Sequence, residues 1–161
     1  PELLDETCVV DITPVEKWLD PQAIKGYYLA VHSILSSQTH QSYRFLKFKE
    51  LEILTRDFLT TYLGDGDGRV VWTGKPSLEM VIESVDEVFS FPSTLLKLKY
   101  NKPALFIKGE NSPCMSDSLF PNTQKIFTNA KLSKIRNAGH LPHLSNTKDF
   151  METVLSFLNK P

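Results

Sequence analysis

Three segments of the sequence follow apolar runs and carry side chains that could do acid–base chemistry. Asp11 follows TCVV, residues 109–112 (GENS) follow ALFIK, and residues 137–140 (NAGH) follow AKLSKIR. Because the carboxyl ends of parallel strands meet at one edge of a sheet, we expect Asp11 and His140 to lie close together. A carboxylate that orients an imidazole is the acid–base half of a hydrolytic triad. The plainer alternatives are a loop histidine for His140 and the N-cap of the following turn for Asp11.

The order of the predicted elements favours an α/β fold. Three apolar runs are predicted as strands: TCVVDI (7–12), KPALFIKG (102–109) and AKLSKIRNAG (130–139). A short helical segment separates the last two strands, and TKDFMETVLSFL (147–158) closes the chain as an amphipathic helix. The residues expected on its inward face are Phe150, Val154, Phe157 and Leu158. Strand, helix, strand and helix in this order predict a parallel sheet with right-handed crossover helices.

Residues 14–100 interrupt that order with a mostly helical pattern. Helical spacing of apolar residues predicts helices that begin at Pro21, Phe45 and Ser77, the last with Ser77 as its N-cap. GDGDG (64–68) is predicted as a turn from its clustered turn residues. A calcium loop is rejected, because the segment has no third acidic ligand and no glutamate at the closing position. The organisation expected is therefore an α/β core formed by residues 1–13 and 101–161, with residues 14–100 inserted into it.

Composition excludes several classes of function. The net charge of −1 over 161 residues offers nucleic acid no electrostatic attraction, and no apolar run is long enough to span a bilayer. The two cysteines, Cys8 and Cys114, make no disulfide framework, which favours a reducing compartment. Cys114 has no neighbour in the sequence that would activate it as a nucleophile, and no histidine pair has metal-ligand spacing. We expect no metal and no organic cofactor.

Five segments carry a family resemblance: VVDITPVE (9–16), GRVVW (68–72), GENSP (109–113), FTNAKL (127–132) and NAGHLPH (137–143). In this order they resemble the second half of an α/β-hydrolase over nearly the full length of the chain. The branch they resemble is that of alpha/beta-hydrolase domain-containing protein 11 and its bacterial esterase relatives. The resemblance implies the C-terminal part of an α/β-hydrolase fold, with residues 14–100 as a helical cap. Leu141, Ser145 and Thr147 depart from the family, which usually has tryptophan, an acid and proline there.

The resemblance also implies the roles of the polar residues. Most α/β-hydrolases place the catalytic acid after the strand that corresponds to ALFIKG, where this chain has Ser112. The resembled branch places it at the end of the earlier strand, which maps to Asp11. We expect Asp11 as the acid and His140 as the base, with Glu110 as the alternative acid. Ser112 is expected to bond His140 or the acid, and its alternative is a plain turn serine.

Three further residues are expected near the substrate. Leu141 and His143 stand in the family's histidine motif, and Trp72 lies in the segment implied to be the cap. Each is a candidate for substrate binding. A packing role is the alternative for His143 and Trp72.

The nucleophile expected of this fold is missing from the sequence. It would lie in a G-x-S-x-G turn before the acid, yet none of the seven glycines brackets a serine in that way. We therefore expect a C-terminal part of a serine hydrolase, inactive alone, whose serine lies upstream. The missing half would cover the edge of the strand at residues 7–12. The alternative is a non-catalytic remnant that serves as a binding module.

The resemblance implies the remaining expectations. The substrate would be a carboxyl ester or a lipid ester, and no nucleic-acid partner is expected. The location would be intracellular, and mitochondrial in animals.

Overall fold

The computed structural model describes residues 3–14, 21–36, 61–67, 69–88 and 90–159. The helix expected to begin at Phe45 therefore lies outside the described residues. The chain divides into two compact units, one formed by residues 1–18 and 90–161 and the other by residues 19–89. In chain order the described α-helices and strands are β1 (Thr7–Val10), α1 (Pro21–Ser36), β2 (Leu63–Gly66), β3 (Arg69–Trp72), α2 (Leu78–Val88), β4 (Ala104–Gly109), α3 (Phe120–Ile126), β5 (Ala130–Ile135), α4 (Pro142–Ser145) and α5 (Thr147–Leu158).

A three-stranded parallel sheet forms the centre of the first unit. Its order is β1–β4–β5, so β4 is the middle strand and pairs with both neighbours. The prediction of an α/β fold with a parallel sheet is confirmed. Both outer strands end earlier than predicted, at Val10 and Ile135. The backbone leaves the extended conformation soon afterwards, since Asp11 and Asn137 have φ values of 54° and 53°.

The side chains of β4 alternate between two hydrophobic clusters. Leu105 and Ile107 lie with Ile135 and Phe157 on the face that α5 covers. Ala104 and Phe106 lie on the opposite face, in a cluster with Met115 and Ala130. All six residues of β4 are buried, so the sheet carries a hydrophobic layer on each face.

One residue of the closing helix does not face inward as expected. Phe150 and Val154 pack against the cluster around Phe157, which is buried. Leu158 is 49% exposed. It lies one residue beyond Phe157, and one step along a helix turns a side chain by about 100° away from the buried face.

A hairpin and two helices form the second unit. β2 and β3 pair antiparallel, with Leu63 opposite Trp72. The turn predicted for GDGDG begins later than expected, at Asp67, because the first three residues of the segment belong to β2. Ser77 caps α2 as expected, since its Oγ accepts the Met80 N–H at 3.3 Å. Within the described residues, no helix is long and apolar enough to cross a membrane.

Candidate active site

Asp11 is held at the end of β1 by the backbone of β4. Its N–H donates to the Ile107 carbonyl at 2.7 Å, and its Oδ1 accepts the Gly109 N–H at 3.1 Å. The residue is fully buried and has a φ of 54°, a left-handed conformation that aspartate tolerates better than most residues. The carboxylate therefore has a fixed position beneath the carboxyl end of the sheet.

His140 lies in the loop after β5 and meets Asp11 directly. Its Nδ1 is 2.9 Å from Asp11 Oδ2, and because a carboxylate only accepts hydrogen bonds, Nδ1 donates. The His140 side chain is 37% exposed, whereas that of Asp11 is 1% exposed. The arrangement is that of a buried acid orienting an imidazole that reaches the surface.

The close contact between the end of β4 and the loop that carries His140 depends on Gly109, the last residue of β4. A Cβ at this position would lie 1.9 Å from the Gly139 carbonyl oxygen and 2.7 Å from that of Ala138. Only a glycine lets the end of β4 come this near to the loop that carries His140. Gly109 also donates its N–H to Asp11, so it both orients the carboxylate and leaves room for the loop that carries His140.

Ser112 lies on the acid. Its hydroxyl donates to Asp11 Oδ2 and accepts the Cys114 N–H at 3.2 Å. The side chain is buried, which shields these contacts from water. Oδ2 therefore receives hydrogen bonds from both Ser112 and His140, which fix the orientation of the carboxylate.

Glu110, the alternative acid, points elsewhere. Its Oε2 accepts the Asn137 N–H at 3.0 Å, and the residue is exposed. It stabilises the left-handed turn that follows β5. The structure brings Asp11, and not Glu110, into hydrogen bonding with the imidazole.

The surroundings strongly favour the protonated form of His140. Its pKa is raised from 6.5 to about 10. The hydrogen bond to Asp11 is the main cause and a hydrogen bond with Cys114 is the second, while burial acts in the opposite direction. The site thus stabilises an imidazolium, the species that forms when a histidine base accepts a proton.

Cys114 belongs to the site, although spacing in the sequence does not indicate it. Its Sγ, a ring nitrogen of His140 and a carboxylate oxygen of Asp11 all lie within 4.8 Å of one another. The residue is five positions beyond the end of β4 and is 5% exposed. Asp11, Cys114 and His140 offer a carboxylate, a thiol and an imidazole, a donor set that suits a zinc-type cation.

Two other predicted site residues, Leu141 and His143, follow His140 closely in the sequence. Leu141 follows His140 directly and its carbonyl accepts the Ser145 hydroxyl at 3.1 Å. His143 is exposed and makes an edge contact with Phe150 at 5.9 Å between ring centroids.

Trp72 lies in the second unit. It stacks on Tyr62, donates its Nε1–H to the Pro76 carbonyl and joins the cluster of Val31 and Leu78. Packing within this unit accounts for these contacts.

Comparisons with known proteins indicate the class of protein to which this chain is related. The sn-1-specific diacylglycerol lipase ABHD11 of Mus musculus is 30% identical over 166 residues, which cover 98% of this chain and 52% of that protein. An abhydrolase domain-containing protein of Schizosaccharomyces pombe is 26% identical over 163 residues, which cover 99% of this chain and 60% of that protein. No family model matches the chain.

Solved structures show the same relationship. A marine microorganism esterase superposes with a TM-score of 0.77 at 26% identity, covering 93% of this chain and 59% of that one. E-2-(acetamidomethylene)succinate hydrolase, at 14% identity and a TM-score of 0.65, shares the fold. The chain is therefore related to the α/β-hydrolases over most of its length, as the resemblance implied. It spans about half the length of the mouse protein.

Proposed function

We propose that this chain is the C-terminal part of a serine hydrolase that cleaves carboxyl esters. His140 would be the base, Asp11 the acid that orients it, and a serine upstream of the chain the nucleophile. The observation that carries the proposal is the 2.9 Å hydrogen bond between His140 Nδ1 and Asp11 Oδ2, formed by residues 129 positions apart in the sequence. The esterase and lipase relatives support it.

The chemistry follows from the geometry of the pair. Asp11 accepts from Nδ1, which leaves Nε2 as the nitrogen that would take the proton from the serine hydroxyl. The serine oxygen would attack the ester carbonyl, and the imidazolium would then protonate the leaving alcohol. Water would repeat the sequence on the acyl-enzyme, with His140 again acting as base and then as acid.

The electrostatics of the pair support its role in proton transfer. The hydrogen bond to Asp11, followed by one with Cys114, raises the pKa of His140 to about 10. The pair therefore favours the imidazolium, the charge state that would follow proton transfer from the serine.

The substrate and the remaining assignments rest on the relatives. One is named as an sn-1-specific diacylglycerol lipase and another as an esterase, so an acyl ester, and within that class a lipid ester, is the substrate proposed. Residues 14–100 would form a helical cap over the acyl chain. Leu141, His143 and Trp72 are proposed to contact the substrate, and a mitochondrial location in animals is proposed by analogy.

A capture experiment tests the proposal. Antibody raised against residues 101–161 would isolate the endogenous product for intact mass and for labelling with a serine-directed phosphonate. We expect a mass well above 18.3 kDa and a label on a serine outside this chain. Replacing His140 by Gln in that product should remove labelling and lower ester hydrolysis by at least about 1,000-fold, as loss of a triad histidine does.

Two controls give each result a single meaning. His32→Gln changes a histidine of the second unit that pairs with Glu79 at 3.6 Å, and this variant should retain most activity. A label on Ser112 would contradict the assigned roles. An unlabelled product of 18.3 kDa would instead favour the non-catalytic binding module.

A further inference from the structure

A second chemistry is available to the side chains that meet at the sheet edge. Asp11, Cys114 and His140 come from three different segments, and their oxygen, sulfur and nitrogen atoms lie within 4.8 Å of one another. Hydrolysis by a serine uses the first and the last of these and has no role for the thiol. We propose that the three side chains bind a divalent cation of the zinc type.

The donor set fits such an ion. Zinc takes thiolate, imidazole and carboxylate ligands in tetrahedral sites, with bonds of about 2.0–2.3 Å, so ligand atoms lie roughly 3.5 Å apart. Atoms at the 4.8 Å limit would need to approach by about 1.3 Å, whereas His140 Nδ1 and Asp11 Oδ2, 2.9 Å apart, would need to separate by about 0.6 Å. A site with three protein ligands leaves the fourth position to water, the arrangement of open zinc sites.

The surroundings of the three proposed ligands favour binding of an ion. Asp11 and Cys114 are buried, so the ion would be bound in an environment where its charge is poorly screened. Asp11 is oriented by the Gly109 N–H and the Ser112 hydroxyl, which would act as outer partners of a metal ligand. The 37% exposed His140 side chain provides the route from solvent.

Binding would replace the hydrogen bond between His140 and Asp11 by two bonds to the metal. In the proposed hydrolase this would remove the base, so the ion would inhibit. That consequence rests on the proposed function, whereas the binding itself does not. A binding measurement therefore tests the inference even where the hydrolase assignment fails.

Cobalt(II) is a suitable probe, because thiolate ligation produces a charge-transfer band in the near-ultraviolet. Titrating the full 161-residue chain with Co²⁺ under reducing conditions should give one ion per chain and a thiolate band, which Zn²⁺ then displaces. Cys114→Ser should abolish the band. Cys8→Ser is the matched control: it removes the only other cysteine, which is exposed, and should leave the titration unchanged.

Two isosteric variants test the rest of the set while both thiols remain. Asp11→Asn and His140→Gln should each weaken binding at least about tenfold, since even outer partners of metal ligands contribute 10- to 100-fold. Far-ultraviolet circular dichroism verifies that each variant is folded. The inference is overturned if the wild type gives no thiolate band, if Cys114→Ser keeps it, if Cys8→Ser removes it, or if both isosteric variants bind as the wild type does.

Discussion

The two outer strands of the sheet flank the same middle strand, yet their edges differ. β5 carries Lys131 and Lys134, both exposed, whereas β1 has the sequence TCVV with no charge and an exposed Cys8. Lysine on an outer strand discourages pairing with a further strand. In the described part of the chain, neither outer strand has a second partner. β5 is therefore suited to remain an edge, and β1 is suited to lie inside a larger sheet, which agrees with the proposed upstream half.

The strand ends differ in the same sense. β1 is followed directly by Asp11, fully buried and left-handed, and β5 leads to His140, whose side chain reaches solvent. A triad needs this asymmetry, because the acid must remain fixed while the base exchanges a proton with the substrate. In the proposed triad, β1 would therefore hold the acid in place and β5 would lead to the base.

The largest effect is expected where the two strand ends meet. Gly109→Ala would place a methyl group 1.9 Å from the Gly139 carbonyl oxygen, and neither backbone segment can move without disturbing Asp11. We expect the free energy of unfolding to fall by about 3 kcal/mol or more, measured by urea denaturation. The matched control is Gly26→Ala in α1, where a Cβ meets nothing within 4 Å. It should stabilise the chain by about 0.5–1 kcal/mol. Equal stability of the two variants would show that the close contact at Gly109 does not require a glycine.

A smaller effect is expected from the serine that supports the β1 end. Ser112→Ala removes the hydroxyl that donates to Asp11 and leaves the buried carboxylate with fewer donors. The expected loss is about 1–3 kcal/mol of unfolding free energy. Ser116→Ala, at an exposed serine whose hydroxyl contacts the Ser118 hydroxyl at 2.8 Å, should stay within about 0.5 kcal/mol of the wild type. A loss no larger than that control would mean that Ser112 is a plain turn serine.

Parallel topology made the pairing of Asp11 with His140 predictable. Both residues follow strands, and parallel strands deliver their ends to one edge. Cys114 could not be predicted in this way, because it lies in the loop beyond β4 and its position depends on how that loop folds back. The same limit applies to the zinc-type donor set, whose members have no common spacing. The turn in GDGDG was predicted to begin too early because glycine disfavours strands, yet pairing with RVVW extends β2 to Gly66.

The link between the strand ends should also make stability depend on pH. His140 has a folded-state pKa of about 10 against an ordinary 6.5, so the folded chain binds the proton more tightly than the unfolded chain. The stabilisation is therefore complete below pH 6.5, declines from there, and is lost as the pH passes about 10. We expect the unfolding free energy of the wild type to fall more steeply across this window than that of His140→Gln. His143→Gln leaves the hydrogen bond between His140 and Asp11 intact and should retain the wild-type slope. Identical slopes for all three proteins would exclude the linkage between His140 protonation and stability.

The smallest effect is expected at the strand edges themselves. If β1 is an unprotected edge, the isolated chain should self-associate, and Cys8→Lys should raise its monomer fraction by placing a charge on that strand. Lys131→Thr, which removes a charge from β5, should lower it. Sedimentation velocity under reducing conditions measures both, with Cys8→Ser as the control for an intermolecular disulfide. Adding a lysine to β1 and removing one from β5 should therefore change the monomer fraction in opposite directions. A wild-type chain that is monomeric and melts cooperatively would instead show that β1 is stable as an edge, and the case for a strand beside it would fail.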